Sequence, residues 1–291
     1  TAYEISLGLV GSEMCIRDRN CLVRHLKSKG NQVAIKWVAN NPKEKNIDFI
    51  TIGRTKPLTK NPHINADLLL TENFEDIISK AKEELSEFDV RVETYSIDVS
   101  NEEDVKKTVL NVVNDFGRID AVFANAGMNL YGGSFEDMDT DVYRKVLAVN
   151  LDGVFFTLRE VCKHMVERAK KGDPGGSVVG VASLAGIEGA AKTQPYSASK
   201  GGIRAIIKGI AVEHARYGIR ANTIVPGWIA TDMTEINQNS EKFTDKVISR
   251  VPMRRWGEPE DFSGVAVYLA SDSSSYHSGD SFVVDGAYAI F

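Results

Sequence analysis

The stretch Ser177-Val-Val-Gly-Val-Ala-Ser-Leu-Ala-Gly-Ile-Glu-Gly-Ala-Ala-Lys-Thr-Gln-Pro-Tyr-Ser-Ala-Ser-Lys200 joins a strand to a helix. Its first six residues form a short apolar run, which is typical of a strand inside a parallel sheet. Pro195 favours a helix start, because the N–H that proline lacks is not needed in the first turn. Tyr196 and Lys200 then lie four residues apart on one helix face. The stretch therefore delivers a hydroxyl, Ser183, to a strand end, and a phenol beside an ammonium to a helix start.

This arrangement predicts acid/base chemistry. A phenol has a pKa of about 10, and a cation within roughly 4–6 Å lowers that pKa by favouring the phenolate. Tyr196 could then give a proton to a carbonyl oxygen or take one from an alcohol, while Ser183 binds the same oxygen. Taken alone, the pattern Tyr-x-x-x-Lys is also a common surface pair on helices, and the spacing does not separate the two interpretations.

Three further motifs accompany this stretch: Asn125-Ala-Gly127, Asn150-Leu-Asp-Gly153 and Pro226-Gly-Trp-Ile-Ala-Thr231. In this order, with Ser183 thirteen residues before Tyr196, the set resembles the classical short-chain dehydrogenase/reductase family from about Val92 to the C-terminus. The resemblance implies a single α/β domain, a Rossmann-like doubly wound parallel sheet with helices on both faces. It also implies an NAD(P)-dependent oxidoreductase that transfers hydride between the nicotinamide and a ketone or secondary alcohol.

By the same resemblance, Tyr196 is the general acid/base and Ser183 orients the substrate oxygen. Lys200 would bind the nicotinamide ribose and depress the tyrosine pKa, and Asn150 would hold a proton-relay water. Asp98 and Val99 would contact the adenine. The full set implied for cofactor binding is Gly11, Asp98, Val99, Asn125, Ala126, Gly127, Tyr196, Lys200, Pro226, Gly227, Ile229 and Thr231.

Composition narrows the class of protein. The 291 residues, 43% hydrophobic and 26% charged, suit one soluble globular domain. A net charge of −5 gives no basic footprint for nucleic acid or an anionic membrane. No apolar run reaches the roughly 18–20 residues of a membrane span. Three irregularly spaced cysteines predict a reducing, cytoplasmic location without disulfides, and the scattered histidines predict no metal site.

The N-terminal segment departs from the family pattern. The family's phosphate-binding turn is Thr-Gly-x-x-x-Gly-x-Gly; here Gly11 matches the first glycine, but Cys15 and Arg17 replace the other two. Side chains at these positions are expected to obstruct the pyrophosphate and the packing of helix on strand. Residues 1–20 are interpreted as atypical, resembling translated sequencing-adapter read-through more than an evolved loop, and residues 21–291 as the domain.

The stretch after residue 20 contains two candidates for the second strand of the sheet, Gln32–Val38 and Ile47–Arg54. Cys21–Gly30 has the apolar spacing and closing glycine of a helix end. Arg54, a basic residue after a strand, resembles the family's accommodation of a 2′-phosphate and favours NADP over NAD. Residues 41–66 exceed the family's usual connection and are interpreted as a possible insertion.

From Arg91 the pattern is regular, and it predicts a capping box at Ser100–Glu103 and the elements Arg91–Ile97, Ile119–Ala124, Asp141–Lys170, Ile219–Val225, Phe262–Ala270 and Phe282–Gly286. The loop Met128–Asp139 either borders the substrate or is plain surface. The polar segment Thr234–Arg250 is expected to be a mobile lid. Small residues after Lys200 favour close packing against the sheet or against a second subunit, and the family implies a dimer or tetramer, so a homotetramer is expected.

Two classes of function remain. The first is a reductase or dehydrogenase, most similar to 3-oxoacyl-carrier-protein reductases and to sugar or polyol dehydrogenases. No residue named here distinguishes between these two groups of substrates. The second is a cofactor-deficient, non-catalytic scaffold or subunit. The segment Gly11–Arg17 distinguishes the two classes, because it decides whether a dinucleotide can bind.

Overall fold

The computed structural model describes residues 92–291 and, among the first 91 residues, only the backbone of five strands. Those strands are β1 (Tyr3–Gly8), β2 (Ile16–Arg17), β3 (Cys21–Val23), β4 (Val38–Ala39) and β5 (Ile47–Gly53). They are followed by β6 (Val92–Ser96), β7 (Ala121–Ala124), β8 (Gly176–Val181), β9 (Ile219–Pro226) and β10 (Ser281–Val284). Gly11 and Cys15 lie outside the described residues.

Seven of the described strands form one parallel sheet in the order β10-β9-β8-β7-β1-β5-β6. All four residues of β7 are buried, as expected for a strand that is covered on both faces. The strand order reverses between β1 and β7, which is the topological switch point at which ligands bind in such sheets. The doubly wound α/β fold predicted from the sequence is confirmed.

The strands described among the first 91 residues decide which of two segments is the second strand of the large sheet. The second strand of the large sheet is β5, so Ile47–Arg54 is the correct choice. Val38 belongs instead to a small antiparallel sheet of β2, β3 and β4. The helical prediction for Cys21–Gly30 is wrong at its start, because Cys21–Val23 pairs as a strand on both sides and so satisfies its backbone groups in a sheet. β1 falls within the segment predicted to be atypical, and β5 falls within residues 41–66.

The α-helices in the described part of the chain are Glu102–Phe116, Thr140–Leu147, Gly153–Lys170, Gln194–His214, Glu235–Gln238, Glu241–Ile248 and Ser263–Ala270. Within residues 92–291, no helix combines the length and the apolar character that crossing a membrane requires. The long helix predicted over Asp141–Lys170 is continuous, but it contains a π turn at Ala148–Asp152. π turns are rare in proteins, and those that occur are often found at functional sites.

The cap of the helix that follows β6 differs from the prediction by one residue. Asn101, not Ser100, is the N-cap, and its side chain accepts hydrogen bonds from the N–H of Glu103 and Asp104 at 3.0 and 3.4 Å. Ser100 is already engaged, because its N–H and its hydroxyl both donate to Asp98. The predicted capping box is therefore replaced by an asparagine cap.

Gln194–His214, called the motif helix below, lies directly on β8. A Cβ added to Gly180 in that strand would approach Ile203 Cγ2 to 2.7 Å and Ile207 Cγ1 to 3.0 Å. Both isoleucines are fully buried. The glycine therefore lets the helix approach the strand that leads to Ser183, and this packing fixes the distance between Ser183 and the residues of the helix.

A charged network lies at the amino end of β7, the end of the sheet away from Ser183. The guanidinium of Arg168 donates to the Ile119 carbonyl at 2.8 Å and to Asp173 at 2.9 Å, and it lies 3.2 Å from Asp120. The Ile119 N–H donates to His164 Nε2 at 3.2 Å. Burial, reinforced by the cation of Arg168, lowers the pKa of His164 below its ordinary value. The imidazole must be neutral to accept this hydrogen bond.

The lowered pKa of His164 makes stability depend on pH. The contribution is fully present above the ordinary histidine pKa of about 6.5 and is lost as the pH falls below that value, because the unfolded chain then binds the extra proton. We expect the free energy of unfolding to fall by about 0.5–1 kcal/mol through this residue between about pH 7.5 and pH 5.5. Urea unfolding at both pH values measures the change.

The matched variant is His164→Gln, which keeps a side-chain acceptor but does not titrate. Its stability should change less over the same interval. Asp173 also has a lowered pKa, because of its hydrogen bond with Arg168. Its contribution to the free energy of unfolding is lost only below about pH 3.8, outside the interval that is measured here. An identical pH dependence in wild type and His164→Gln would contradict the assignment.

Candidate active site

The motif helix brings a phenol and an ammonium together. Pro195 occupies its second position, as predicted, and Tyr196 and Lys200 lie on its first turns. Lys200 is only 4% exposed, and its Nζ donates to the Val181 carbonyl at 2.8 Å. The same Nζ lies 5.6 Å from the centroid of the Tyr196 ring. The end of β8 thus anchors the ammonium beside the phenol.

Ser183 reaches the same point from the strand. It caps a 3₁₀ turn, Leu184–Gly186, by accepting the N–H of Ala185 at 3.2 Å. Its side chain also forms a hydrogen bond with Tyr196. Because the serine follows β8 by two residues, the strand end and the helix start meet through their hydroxyl groups. The predicted convergence of Ser183, Tyr196 and Lys200 is what the structure shows.

Asn150 lies fully buried in the π turn, with no exposed surface. Its Oδ1 accepts the N–H of Met128 at 2.8 Å, and its Nδ2 donates to the Met128 carbonyl at 2.8 Å. Nδ2 also donates to Ser199 Oγ at 3.2 Å. The amide therefore fixes the loop after β7 to the helices behind it. Its predicted role in holding a relay water stays a prediction.

The segment Asn125–Gly127 directly follows β7 at the carboxyl edge of the sheet. A Cβ added to Gly127 would lie 3.2 Å from Lys200 Nζ and 3.5 Å from Asn150 Oδ1. Ala126 is buried. The loop therefore passes close to both polar groups, and the absence of a side chain at position 127 leaves that approach open.

The predicted adenine contacts lie elsewhere on the same edge. Asp98 and Val99 follow β6, the outermost strand on that side, and three strands separate β6 from β8. The carboxylate of Asp98 accepts from the N–H of Ser100 at 2.9 Å and from its hydroxyl at 2.6 Å. Val99 is 3% exposed. At about 4.8 Å per strand, this turn is roughly 19 Å from the end of β8.

The segment after β9 closes the other side of the site. Gly227 donates its N–H to Val284 at 3.0 Å, and a Cβ there would approach Asp285 Cβ to 2.6 Å. Ile229 is buried and forms an isolated parallel bridge with Gly257. The N–H of Thr231 donates to Thr234 Oγ1 at 3.1 Å. Pro226, Gly227, Ile229 and Thr231 thus lie on one tethered segment.

Two segments left open by the sequence have defined places. The loop Met128–Asp139 contributes Met128, Leu130 and Met138 to an apolar cluster that includes the Tyr196 ring, so it borders the candidate site. Within Thr234–Arg250, two helices form, and the Phe243 ring lies 5.4 Å from that of Trp228. The predicted mobility of this lid stays a prediction.

Burial controls the titration of the two central groups. It raises the pKa of Tyr196 above its ordinary value, and the hydrogen bond with Ser183 opposes this only in part. Burial also lowers the pKa of Lys200 to about 8, so the amine is mostly protonated near neutral pH. Burial is the larger of the two causes that act on the phenol pKa here, and the prediction that Lys200 depresses this pKa stays a prediction.

Sequence reasoning missed three participants in the site. They are the backbone of Met128, the carbonyl of Val181 and the hydroxyl of Ser199. Backbone partners carry no sequence signal. Ser199 carries a sequence signal, because a serine inside a helix is mildly unfavourable unless its hydroxyl forms a hydrogen bond.

These residues fit the nicotinamide-ribose half of a dinucleotide. An ammonium has three N–H donors, and among the described residues Lys200 donates to one acceptor, the Val181 carbonyl. Its other donors can bind ribose hydroxyls beside Gly127, where a Cβ would fill the space. Gly11 belongs to the pyrophosphate half and is outside the described residues.

Comparison with known proteins points to one family. Residues 60–289 match the family described as enoyl-(acyl carrier protein) reductase. L-rhamnose 1-dehydrogenase (NAD(P)(+)) from Azotobacter vinelandii is 33% identical over 204 residues, 70% of this chain and 78% of the relative. A 3-oxoacyl-[acyl-carrier-protein] reductase from Thermotoga maritima is 37% identical over 204 residues, 69% and 78% of the two chains. Gluconate 5-dehydrogenase from Burkholderia cenocepacia, solved with NADP and tartrate, is 26% identical, with a TM-score of 0.70 and coverage of 83% and 85%.

Proposed function

Because the chain belongs to the classical short-chain dehydrogenase/reductase family, we propose that it acts on a hydroxyl-rich substrate, a sugar, sugar acid or polyol. The chain is an NAD(P)-dependent oxidoreductase that transfers hydride between the nicotinamide and a carbonyl or secondary alcohol. The observation that carries the proposal is the convergence of Ser183, Tyr196 and Lys200 at the carboxyl edge of the sheet.

When bound, the nicotinamide gives or takes the hydride. Tyr196 supplies the proton to the carbonyl oxygen in reduction, and its raised pKa keeps the phenol protonated at neutral pH. Ser183, which already binds the phenol, donates to the same oxygen and fixes its position. Lys200, held by Val181, binds the ribose hydroxyls and keeps a positive charge at the site. Asn150 holds the loop that forms the wall beside Lys200.

We further propose NADP as the preferred cofactor. The strand next to β1 in the sheet is β5, which ends at Gly53. Arg54 comes directly after it in the sequence. A basic residue following the second strand of such a sheet can pair with a 2′-phosphate, which NAD lacks.

Two buried acceptors support a hydroxyl-rich substrate. Asn129 Oδ1 and Gln194 Oε1 are buried and accept no hydrogen bond from the described part of the chain. Gln194 is two residues before Tyr196, and Asn129 is two residues after Gly127. A buried acceptor without a donor costs free energy, and a substrate hydroxyl would supply the donor. The L-rhamnose and gluconate dehydrogenases named above have substrates of this kind in their names.

Replacing Gln194 by leucine tests this recognition. We expect KM for D-gluconate or L-rhamnose to rise about 3- to 10-fold, the effect of losing one neutral hydrogen bond. KM for cyclohexanone, a ketone without further hydroxyls, should not change. Thermal stability should not fall, since the variant removes an unpartnered polar atom. Steady-state kinetics with both substrate types measure the difference, and an equal change in both KM values would contradict it.

A 3-oxoacyl-carrier-protein reductase is the second candidate, supported by the relative from Thermotoga maritima. Turnover of acetoacetyl-carrier protein with NADPH, compared with turnover of D-gluconate and L-rhamnose with NADP⁺ and NAD⁺, separates the two. The non-catalytic scaffold predicts that neither dinucleotide binds, which fluorescence titration with NADPH tests directly.

We also propose that the protein is a cytoplasmic homo-oligomer, a dimer or tetramer. The helices Gly153–Lys170 and Gln194–His214 carry exposed apolar side chains, Phe155 at 42% and Val212 at 84%. A partner subunit that packs on these helices would remove this apolar surface from water, which favours association. Sedimentation of the purified protein measures the state.

A further inference from the structure

Ser199 lies directly before Lys200 and has no exposed surface. Its hydroxyl donates to the Tyr196 carbonyl at 2.7 Å and accepts from Asn150 Nδ2 at 3.2 Å. One hydroxyl group is therefore shared by the first turn of the motif helix and by the π turn. The residue lies behind Tyr196 and contacts its backbone rather than its phenol.

The amide of Asn150 extends this connection to the loop after β7. Its Oδ1 and Nδ2 both bind the backbone of Met128, and the remaining N–H of Nδ2 binds Ser199. Both N–H donors of the amide are thus used. The neighbouring residue, Gly127, is the one at which an added Cβ would lie 3.2 Å from Lys200 Nζ. A chain of hydrogen bonds therefore joins the backbone of Tyr196 to the wall beside Lys200.

We propose that Ser199 is a positioning residue, which holds the Asn150 amide in the one orientation that binds Met128 and so keeps the loop, the π turn and the motif helix in register. This inference rests on the proposed acid/base role of Tyr196. Without the hydroxyl, one N–H of Asn150, a residue with no exposed surface, would have no acceptor among the described residues. The amide would then turn toward another partner at the expense of its bonds to Met128.

The test compares Ser199→Ala with Ser197→Ala. Ser197 is on the same turn, and its buried hydroxyl has no partner among the described residues. Hydrogen exchange, resolved at the Met128 amide, reports the bond to Asn150 Oδ1. We expect exchange there to become at least about tenfold faster in Ser199→Ala and to stay unchanged in Ser197→Ala. Exchange at Gly117, far from the network, serves as an internal reference in both variants.

Steady-state kinetics with NADP⁺ and D-gluconate provide a second test of the role of Ser199. We expect kcat to fall about tenfold in Ser199→Ala, KM to stay within about twofold, and the solvent deuterium isotope effect on kcat to rise, since the proton donor is less well placed. A variant that merely unfolds in part would lose kcat without a change in isotope effect.

Unchanged exchange at Met128 would overturn the proposal, as would an equal effect of Ser197→Ala, or a kcat that stays at the wild-type value while exchange accelerates. If the wild-type enzyme turns over none of the sugars, the proposed substrate class fails. The exchange result then still decides the role of Ser199, because it needs neither cofactor nor substrate.

Discussion

Replacing Tyr196 by phenylalanine should lower kcat by about 10²- to 10⁴-fold, the usual contribution of a positioned general acid. The reason is that Ser183 and Lys200 can still bind the substrate oxygen and the ribose, but neither supplies the proton. The phenyl ring keeps the packing of the tyrosine against the apolar cluster of Leu130, Val142 and Val146. The dissociation constant of NADPH, from fluorescence titration, should therefore change by less than about threefold.

Tyr276→Phe is the matched control, because Tyr276 is a fully exposed tyrosine outside the site. It should keep wild-type kcat. Residual turnover of Tyr196→Phe above about a tenth of the wild-type rate would remove the phenol from the mechanism. A large loss of NADPH binding in the same variant would instead make Tyr196 a cofactor ligand first.

Replacing Gly186 by alanine should damage both stability and catalysis. A Cβ at this position would lie 2.7 Å from Gly201 N and 2.7 Å from the carbonyl carbon of Lys200, both of them backbone atoms of the motif helix. Because neither can move alone, the turn that begins at Ser183 must shift away from the helix. We expect a loss of about 1–3 kcal/mol in the free energy of unfolding. We also expect kcat to fall about 10- to 100-fold from the displaced serine, measured with saturating substrate.

Gly189→Ala provides the control within the same loop. Nothing lies within 4 Å of a Cβ added there, and its backbone does not need glycine. Its stability should stay within about 0.5 kcal/mol of wild type. If Gly186→Ala behaved like Gly189→Ala, the close contact between the turn and the motif helix would not exist in solution.

The sequence predicted the parts of the site that depend on local chain geometry. Pro195 and the spacing of Tyr196 and Lys200 are enough to place two side chains on one helix face. Ser183 follows from the strand just before it. The parallel sheet follows from the alternation of apolar runs with helical stretches. The signals for the three site residues lie within the single stretch Ser183–Lys200, where strand and helix geometry largely set the distances.

What the sequence could not predict depends on contacts between distant segments. The bonds of Asn150 with Met128 cross 22 residues, and the anchoring of Lys200 by Val181 crosses 19. The raised pKa of Tyr196 could not be predicted for a related reason. A neighbouring cation can be read from spacing, but the loss of water around a phenol is a property of the folded core.

β8 supports both polar groups of the site from one short strand: Val181 anchors the ammonium, and Ser183 follows two residues later. Any movement of this strand would carry Ser183 and the anchor of Lys200 along together. Changes of substrate preference are therefore expected outside this strand, in the loop Met128–Asp139 and at Gln194.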